Sequence, residues 1–222
     1  MEVVLTPLEI RVLGCLVEKE ATTPDNYPLS LNALTNACNQ KTNRDPLMNL
    51  AEHMVQSAID SLVKKTLVAS RSGAGGRVAK YAHRLHDRLN PDYDFARDEL
   101  APMCELMLRG PQTLNELRTR CARIHEYGDT EELAAVLERL EKRPERPYVK
   151  RLARRPGQKE ARYAQLLTGE LPAEAEGAAD EAGTGVAADD TARLDELELE
   201  VRNLRRELQA LSERVAELLA AR

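Results

Sequence analysis

At 222 residues the chain can hold one to two domains with real cores, and with one Phe and no Trp those cores must be aliphatic. The net charge of −5 hides an asymmetry: residues 170–222 hold 14 acidic and 6 basic side chains, leaving 26 basic against 23 acidic in residues 1–169. Local patches therefore say more about partners than the overall charge does. No apolar run approaches the ~18 residues of a membrane span, and the N-terminus lacks a basic-then-apolar signal. Cys15, Cys38, Cys104 and Cys121 are isolated, without zinc-knuckle spacing, and His83 and His86 have no cysteine neighbours. The cysteines read as small buried hydrophobes. The expectation is a soluble, cytoplasmic protein with no metal, no cofactor and no membrane partner.

In chain order, Thr6-Pro7-Leu8-Glu9 reads as a helix start, with Thr6 as N-cap, Pro7 in the first turn and Glu9 completing a capping box. Leu8, Val12, Cys15 and Leu16 form one face of a helix ending near Glu20. Ser30 caps a second helix with Leu31, Leu34 and Cys38 on one side. The polar loop Asn39–Pro46 has two readings, a phosphate site beside the next helix or a solvated connector. Asn49 with Glu52 predicts the start of a third helix with Leu50, Met54, Ala58 and Leu62 as its core face. Lys64 and Lys65 suit its carbonyl end. A strand at Leu67-Val68, glycines at Gly73, Gly75 and Gly76, and a second strand up to Arg84 complete a hairpin.

The pattern returns after Asn90-Pro91-Asp92. Leu100, Met103, Cys104, Met107 and Leu108 form a helical face, its methionines read as core, and Gly110-Pro111 ends it. Thr113 starts a second helix, LNELRTRCARIH. Asp129 with Glu132 caps a third, with Leu133, Val136, Leu137 and Leu140 inward, and the hairpin YVKRLARRPGQKEARYAQL follows. Arg77–Leu85 aligns with Lys159–Leu167, pairing Lys80 with Arg162 and Tyr81 with Tyr163, and Leu62 corresponds to Leu140. Two copies of one unit predict a mainly α fold with small β-hairpins, of α+β class. The units are two tandem winged helix-turn-helix domains, residues 1–89 and 90–168.

Residues 169–190 carry seven acids and no base, the composition of a flexible acidic linker. In residues 191–222, Leu194, Leu197, Val201, Leu204, Leu208, Leu211, Val215 and Leu218 alternate spacings of three and four. This predicts a coiled-coil helix and a homodimer. The opposite-sign pairs Arg193–Glu198 and Glu200–Arg205 suit parallel strands; the other reading is one amphipathic helix folding back on its own domain.

EKEATTPDNYPLSLNALTNACNQKTNRDPLMNL and, in the second unit, ELMLRGPQTLNELRTR resemble the bacterial YceH family. The resemblance runs from residue 6 to about 167 and implies a pair of winged-helix domains. It brings no catalytic residues to carry over.

Catalytic patterns are missing: there is no GxSxG, no HExxH, and Gly73–Gly76 lacks the lysine-serine ending of a phosphate loop. The expectation is a non-enzymatic protein that binds duplex DNA. The third helix of the first unit would offer Asn49, His53, Gln56, Ser57 and Lys64 to a groove, with Gln56 as base reader and Asp60 as an opposing charge. Arg71, Arg77, Lys80 and Arg84 in the first hairpin are candidate phosphate contacts. In the second unit the third helix carries Glu131, Glu132 and Glu138, a poor groove surface. Its basic charge lies in the hairpin region, at Arg143, Arg146, Lys150, Arg151, Arg154, Arg155, Lys159 and Arg162. The rival reading is a protein-interaction adaptor that binds a protein partner and no DNA.

Overall fold

The computed structural model describes residues 4–71, 78–86, 93–144, 146–154 and 160–169. Arg77, Arg155, Lys159, the turn glycines Gly73, Gly75 and Gly76, residues 170–190 of the acidic stretch and the whole expected seam from Leu194 to Leu218 lie outside the described residues. The first half runs α1 (Pro7–Thr22), a 3-10 turn (Pro24–Asn26), β1 (Leu29–Ser30), α2 (Leu31–Cys38), α3 (Glu52–Lys64), β2 (Val68–Arg71) and β3 (Lys80–His83). The second half repeats it with α4 (Arg97–Arg109), β4 (Gln112–Thr113), α5 (Leu114–Cys121), α6 (Thr130–Glu141), β5 (Val149–Arg151) and β6 (Arg162–Gln165). Each half holds one antiparallel sheet, of order β1-β3-β2 and β4-β6-β5. The class is α+β.

Short polar side chains start most of these helices, as the spacing predicts. The Thr6 hydroxyl accepts from Glu9 N–H, and Glu9 Oε2 accepts from Thr6 N–H at 2.7 Å. Ser30, Thr113 and Asp129 cap α2, α5 and α6 in turn, each accepting from the N–H three residues on. α3 departs from the expectation. Its N-cap is Ala51, without a side-chain bond. Asn49 does not cap it, because the preceding chain is already held: the Asn39 side chain exchanges two hydrogen bonds with the Leu50 backbone, at 2.7 and 2.9 Å. The buried stripe of α3 is consequently Val55, Ala58, Ile59 and Leu62. Leu50 is only partly buried, and Met54, expected inside, is 40% exposed.

The repeat is legible in the hydrogen bonds. Ser30 pairs with Lys80 and Leu29 with Tyr81; Thr113 pairs with Arg162 and Gln112 with Tyr163. Tyr148 N–H reaches Leu140 O at 3.0 Å as Leu67 N–H reaches Leu62 O at 2.9 Å. Glu9 binds Lys65 at the end of α3 and Glu99 binds Arg143 at the end of α6, both at 2.6 Å. Each half also closes on the beginning of the other. Phe95 N–H donates to Leu85 O and Leu5 N–H to Leu167 O, both at 2.8 Å.

α1 is expected to bury one face, yet every residue from Glu9 to Val17, and Glu18 after it, is buried. α4 is the cause: it packs along α1 and is itself buried from Glu99 to Leu108. Cys104 Sγ lies 3.4 Å from Gly14 O where the two helices cross, and the four cysteines, Met103 and Met107 are all core. Among the described residues no helix is long and apolar enough to cross a membrane.

Charged groups reinforce this junction. Arg44, in the loop after α2, is buried and holds Glu18 of α1 through two nitrogens, one at 3.0 Å, while donating to Ala37 O. Arg123 from the second half grips Glu18 as well, and binds Glu105 of α4 at 2.6 Å. Asp45 N–H donates to Leu108 O at 2.9 Å, and Arg109 reaches the Asn43 side chain. The loop Asn39–Pro46 is thus tied to both halves at its Arg44, Asp45 and Asn43 end. It is a clasp between the halves.

Candidate nucleic-acid interface

With Val55, Ala58, Ile59 and Leu62 turned into the core, the opposite side of α3 is left outward. On that side His53, Ser57, Asp60 and Lys64 are exposed and Gln56 is half-buried, while Asn49, expected on the helix, is exposed but precedes it. Gln56 is already engaged: its amide N–H donates to Asp60 at 2.7 Å and its carbonyl accepts from the Tyr81 hydroxyl at 3.2 Å. Sequence spacing does not reveal that tether. It holds the amide in one orientation and leaves one N–H and one lone pair for a further partner. Ser57 bonds back to His53 O at 2.9 Å.

The basic candidates separate into two groups. Arg71, Lys150, Arg151 and Arg154 are exposed. Arg162 is half-buried, its Nε without a hydrogen-bond partner. Arg84 is half-buried and engaged within the fold. Arg143 binds Glu99 and lies 4.6 Å over the Phe95 ring, and Arg146 donates to the Tyr93 hydroxyl at 2.6 Å. Arg143 and Arg146 thus pin the second half together and are not surface cations in waiting. Lys80 is exposed and lines a cavity beside β1. On α6, Glu131, Glu132 and Glu138 are exposed, and Glu138 pairs with Lys142.

Two titratable clusters escape the sequence reading because their members are far apart in the chain. The first is the junction of Glu18, Arg44, Arg123 and Glu105. Burial works to raise Glu18, but hydrogen bonds and charge from Arg44 and Arg123 outweigh it and hold the carboxyl below its ordinary value. Glu105 goes the other way: burial dominates and raises it, despite Arg123. Its Oε2 has no hydrogen bond and lies 3.6 Å from Arg109 Nε. The Arg123–Glu105 contact favours both charged forms, but for Glu105 it does not offset burial.

The second cluster is Glu20, His83 and His86, whose ligand-type atoms lie within 4.8 Å of one another. Glu20 Oε2 is 2.8 Å from His83 Nε2 and 3.9 Å from His86 Nδ1. Two imidazoles and a carboxylate are a zinc-type donor set. The buried His83 opposes that use. Its Nδ1 accepts from Leu85 N–H at 3.2 Å, which places the proton of the neutral ring on Nε2, the nitrogen a metal would need bare. Burial works to raise Glu20, but the histidines, His83 first, hold it below its ordinary value. The arrangement is that of a hydrogen bond from His83 Nε2–H to the Glu20 carboxylate.

Two copies of a three-helix, three-strand unit, joined face to face through their first helices, define the class of protein. Over residues 5–158 the chain matches the family described as "Protein of unknown function, DUF480", and it belongs to that family. It is 48% identical over 220 residues to a UPF0502 protein of Aeromonas hydrophila subsp. hydrophila, covering 98% of this chain and 99% of that one. A UPF0502 protein of Pectobacterium carotovorum is 46% identical over 212 residues, covering 95% and 99%, and one of Cronobacter sakazakii is 49% identical over 205, covering 92% and 94%. The resemblance to the YceH family carried by residues 6–167 is borne out.

Proposed function

We propose that the chain is a non-catalytic duplex-DNA-binding protein built from two winged helix-turn-helix units. α3 is the helix offered to the major groove, and Arg71, Lys150, Arg151 and Arg154 hold phosphates. The observation that carries this reading is the exposed polar face of α3, with α2 packed beside it and Arg71 at the end of β2. Lys80 leaves the set, because it borders a cavity of its own. The 191–222 segment pairs two chains as a coiled coil, which doubles the phosphate-binding cations per particle. Deleting it is expected to halve the mass in light scattering.

The test is binding of a random duplex followed by fluorescence anisotropy across a salt series. Removing a phosphate-binding cation, as in Arg71→Ala, is expected to flatten the log–log slope by about 0.9 for each chain engaged. An unchanged slope removes Arg71 from the interface. The acidic outer face of α6 favours a second reading for the second half alone, a surface that docks a basic protein partner.

A further inference from the structure

A cavity of about 430 Å³ opens in the first half between the end of α1, β1, α2 and β3. Its lining includes Lys19, Lys80, Gln40, Ser30 and the apolar Leu29 and Ala33, and among the described residues no carboxylate. The size falls within the ~300–1,000 Å³ usual for small-molecule sites.

The groups around it are donors and cations. Lys80 has no ion-pair partner among the described residues, and the β2–β3 register sets it directly opposite Arg71, a like-charge pair that a sheet disfavours. Among the described residues Lys19 has only Glu18 as an ion-pair partner, at 3.7 Å, and Arg44 and Arg123 already hold the Glu18 oxygens. The Ser30 hydroxyl accepts from Ala33 N–H, which leaves its own proton to donate. Gln40 accepts from Arg44 through its carbonyl, leaving its NH₂ free to donate.

The second half supplies an internal control. Counting from the helix caps Ser30 and Thr113, Ala33 corresponds to Glu116 and Ala37 to Arg120. Glu116 accepts from Thr113 N–H at 2.9 Å, pairs with Arg120 at 3.5 Å, and is held below its ordinary value despite burial, with Arg162 among the cations responsible. Arg162 is the counterpart of Lys80. The second half thus carries its own anion beside this strand cation, where the first half has Ala33.

We propose that the cavity binds the phosphate group of a small phosphate monoester of mononucleotide size, in the place that Glu116 takes in the other half. The site stands independently of DNA binding by α3.

The probes are inorganic phosphate and adenosine monophosphate, titrated into the full-length protein at low salt and followed by amide shifts at Ser30 and Lys80. Saturable shifts with both, and none with adenosine, are expected. Lys80→Gln and Lys19→Gln should each weaken binding by about tenfold, the worth of one charge-assisted hydrogen bond. Lys41→Gln, an exposed cation outside the lining, should leave it unchanged. Ala33→Glu, which restores the second half's carboxylate, should abolish binding with the melting temperature kept or raised. Linear shifts without saturation up to ~10 mM, weaker than any specific millimolar site, overturn the proposal. So does equal weakening by Lys41→Gln, or a loss of duplex affinity in Lys80→Gln with no response to either probe.

Discussion

Gly14 of α1 meets Leu108 of α4 so closely that a Cβ on Gly14 would stand 2.9 Å from Leu108 Cδ2 and 3.1 Å from Met107 Cβ. Leu108 is fully buried and has little room to give. In an exposed helix, glycine to alanine would gain about 1 kcal/mol. Here overpacking costs about 1–3 kcal/mol, so Gly14→Ala is expected to be neutral to mildly destabilising. Gly14→Val, with two methyl groups at the crossing, should lose several-fold more in urea unfolding. A stabilised Gly14→Val would mean that the two helices are not in register at this point.

The junction charges predict unequal effects from two similar substitutions. Glu18→Gln strips the buried Arg44 and the half-buried Arg123 of their shared carboxylate and should cost about 3–5 kcal/mol. Glu105→Gln should cost about 1 kcal/mol or less, since burial already opposes that charge and one oxygen has no hydrogen bond. The signs with pH also differ. Glu18, lowered in the fold, adds stability that is present above its unfolded pKa and is lost as pH falls through the folded one. Glu105, raised in the fold, contributes best when protonated and loses that contribution as pH rises from the unfolded pKa through the folded one. Stability measured against pH should show a shallower acid limb in Glu18→Gln, and a shallower loss on the rising side in Glu105→Gln. Equal costs at neutral pH would contradict this division.

Asp60 stands exposed on the outward face of α3, one turn from Gln56. Its charge opposes any phosphate approaching that face. Asp60→Asn should strengthen binding to every duplex by up to about fivefold, the range of an exposed ion interaction. Anisotropy on specific and random duplexes checks this. Weaker binding on both would show that Asp60 acts mainly by holding Gln56.

Cations of the second half should divide in the same experiments. Arg143→Ala loses the Glu99 bond and the stacking on Phe95, and should destabilise the fold by about 2 kcal/mol with little change in salt slope. Lys150→Ala and Arg154→Ala should do the reverse, sparing the melting temperature while each flattens the slope by about 0.9 for each chain engaged. A slope change in Arg143→Ala at unchanged stability would return it to the interface.

Much of this was legible where the signal is local. Thr6 with Glu9, Thr113, and Asp129 with Glu132 mark helix starts because a short polar side chain can reach the orphan N–H three residues on. The alignment of Tyr81 with Tyr163 also matches the strand register of both sheets. What failed was non-local. Asn49 and Glu52 have capping-box spacing, but Asn39 takes the Leu50 backbone first and α3 starts later. Glu18, Arg44, Glu105 and Arg123 look like solvated charges until α4 covers the second face of α1. The tether on Gln56 depends on Tyr81, a strand away.

The most direct measurement of the DNA-binding reading is the affinity of the full-length protein for a random duplex at ~50 mM and ~200 mM salt. Binding is expected at the lower salt that weakens steeply at the higher, by about 10²-fold if one chain's four phosphate contacts engage and about 10⁴-fold if both chains of the dimer engage. No binding at ~50 mM, where screening is weakest, would contradict it and leave the exposed cations as a surface for an acidic protein partner.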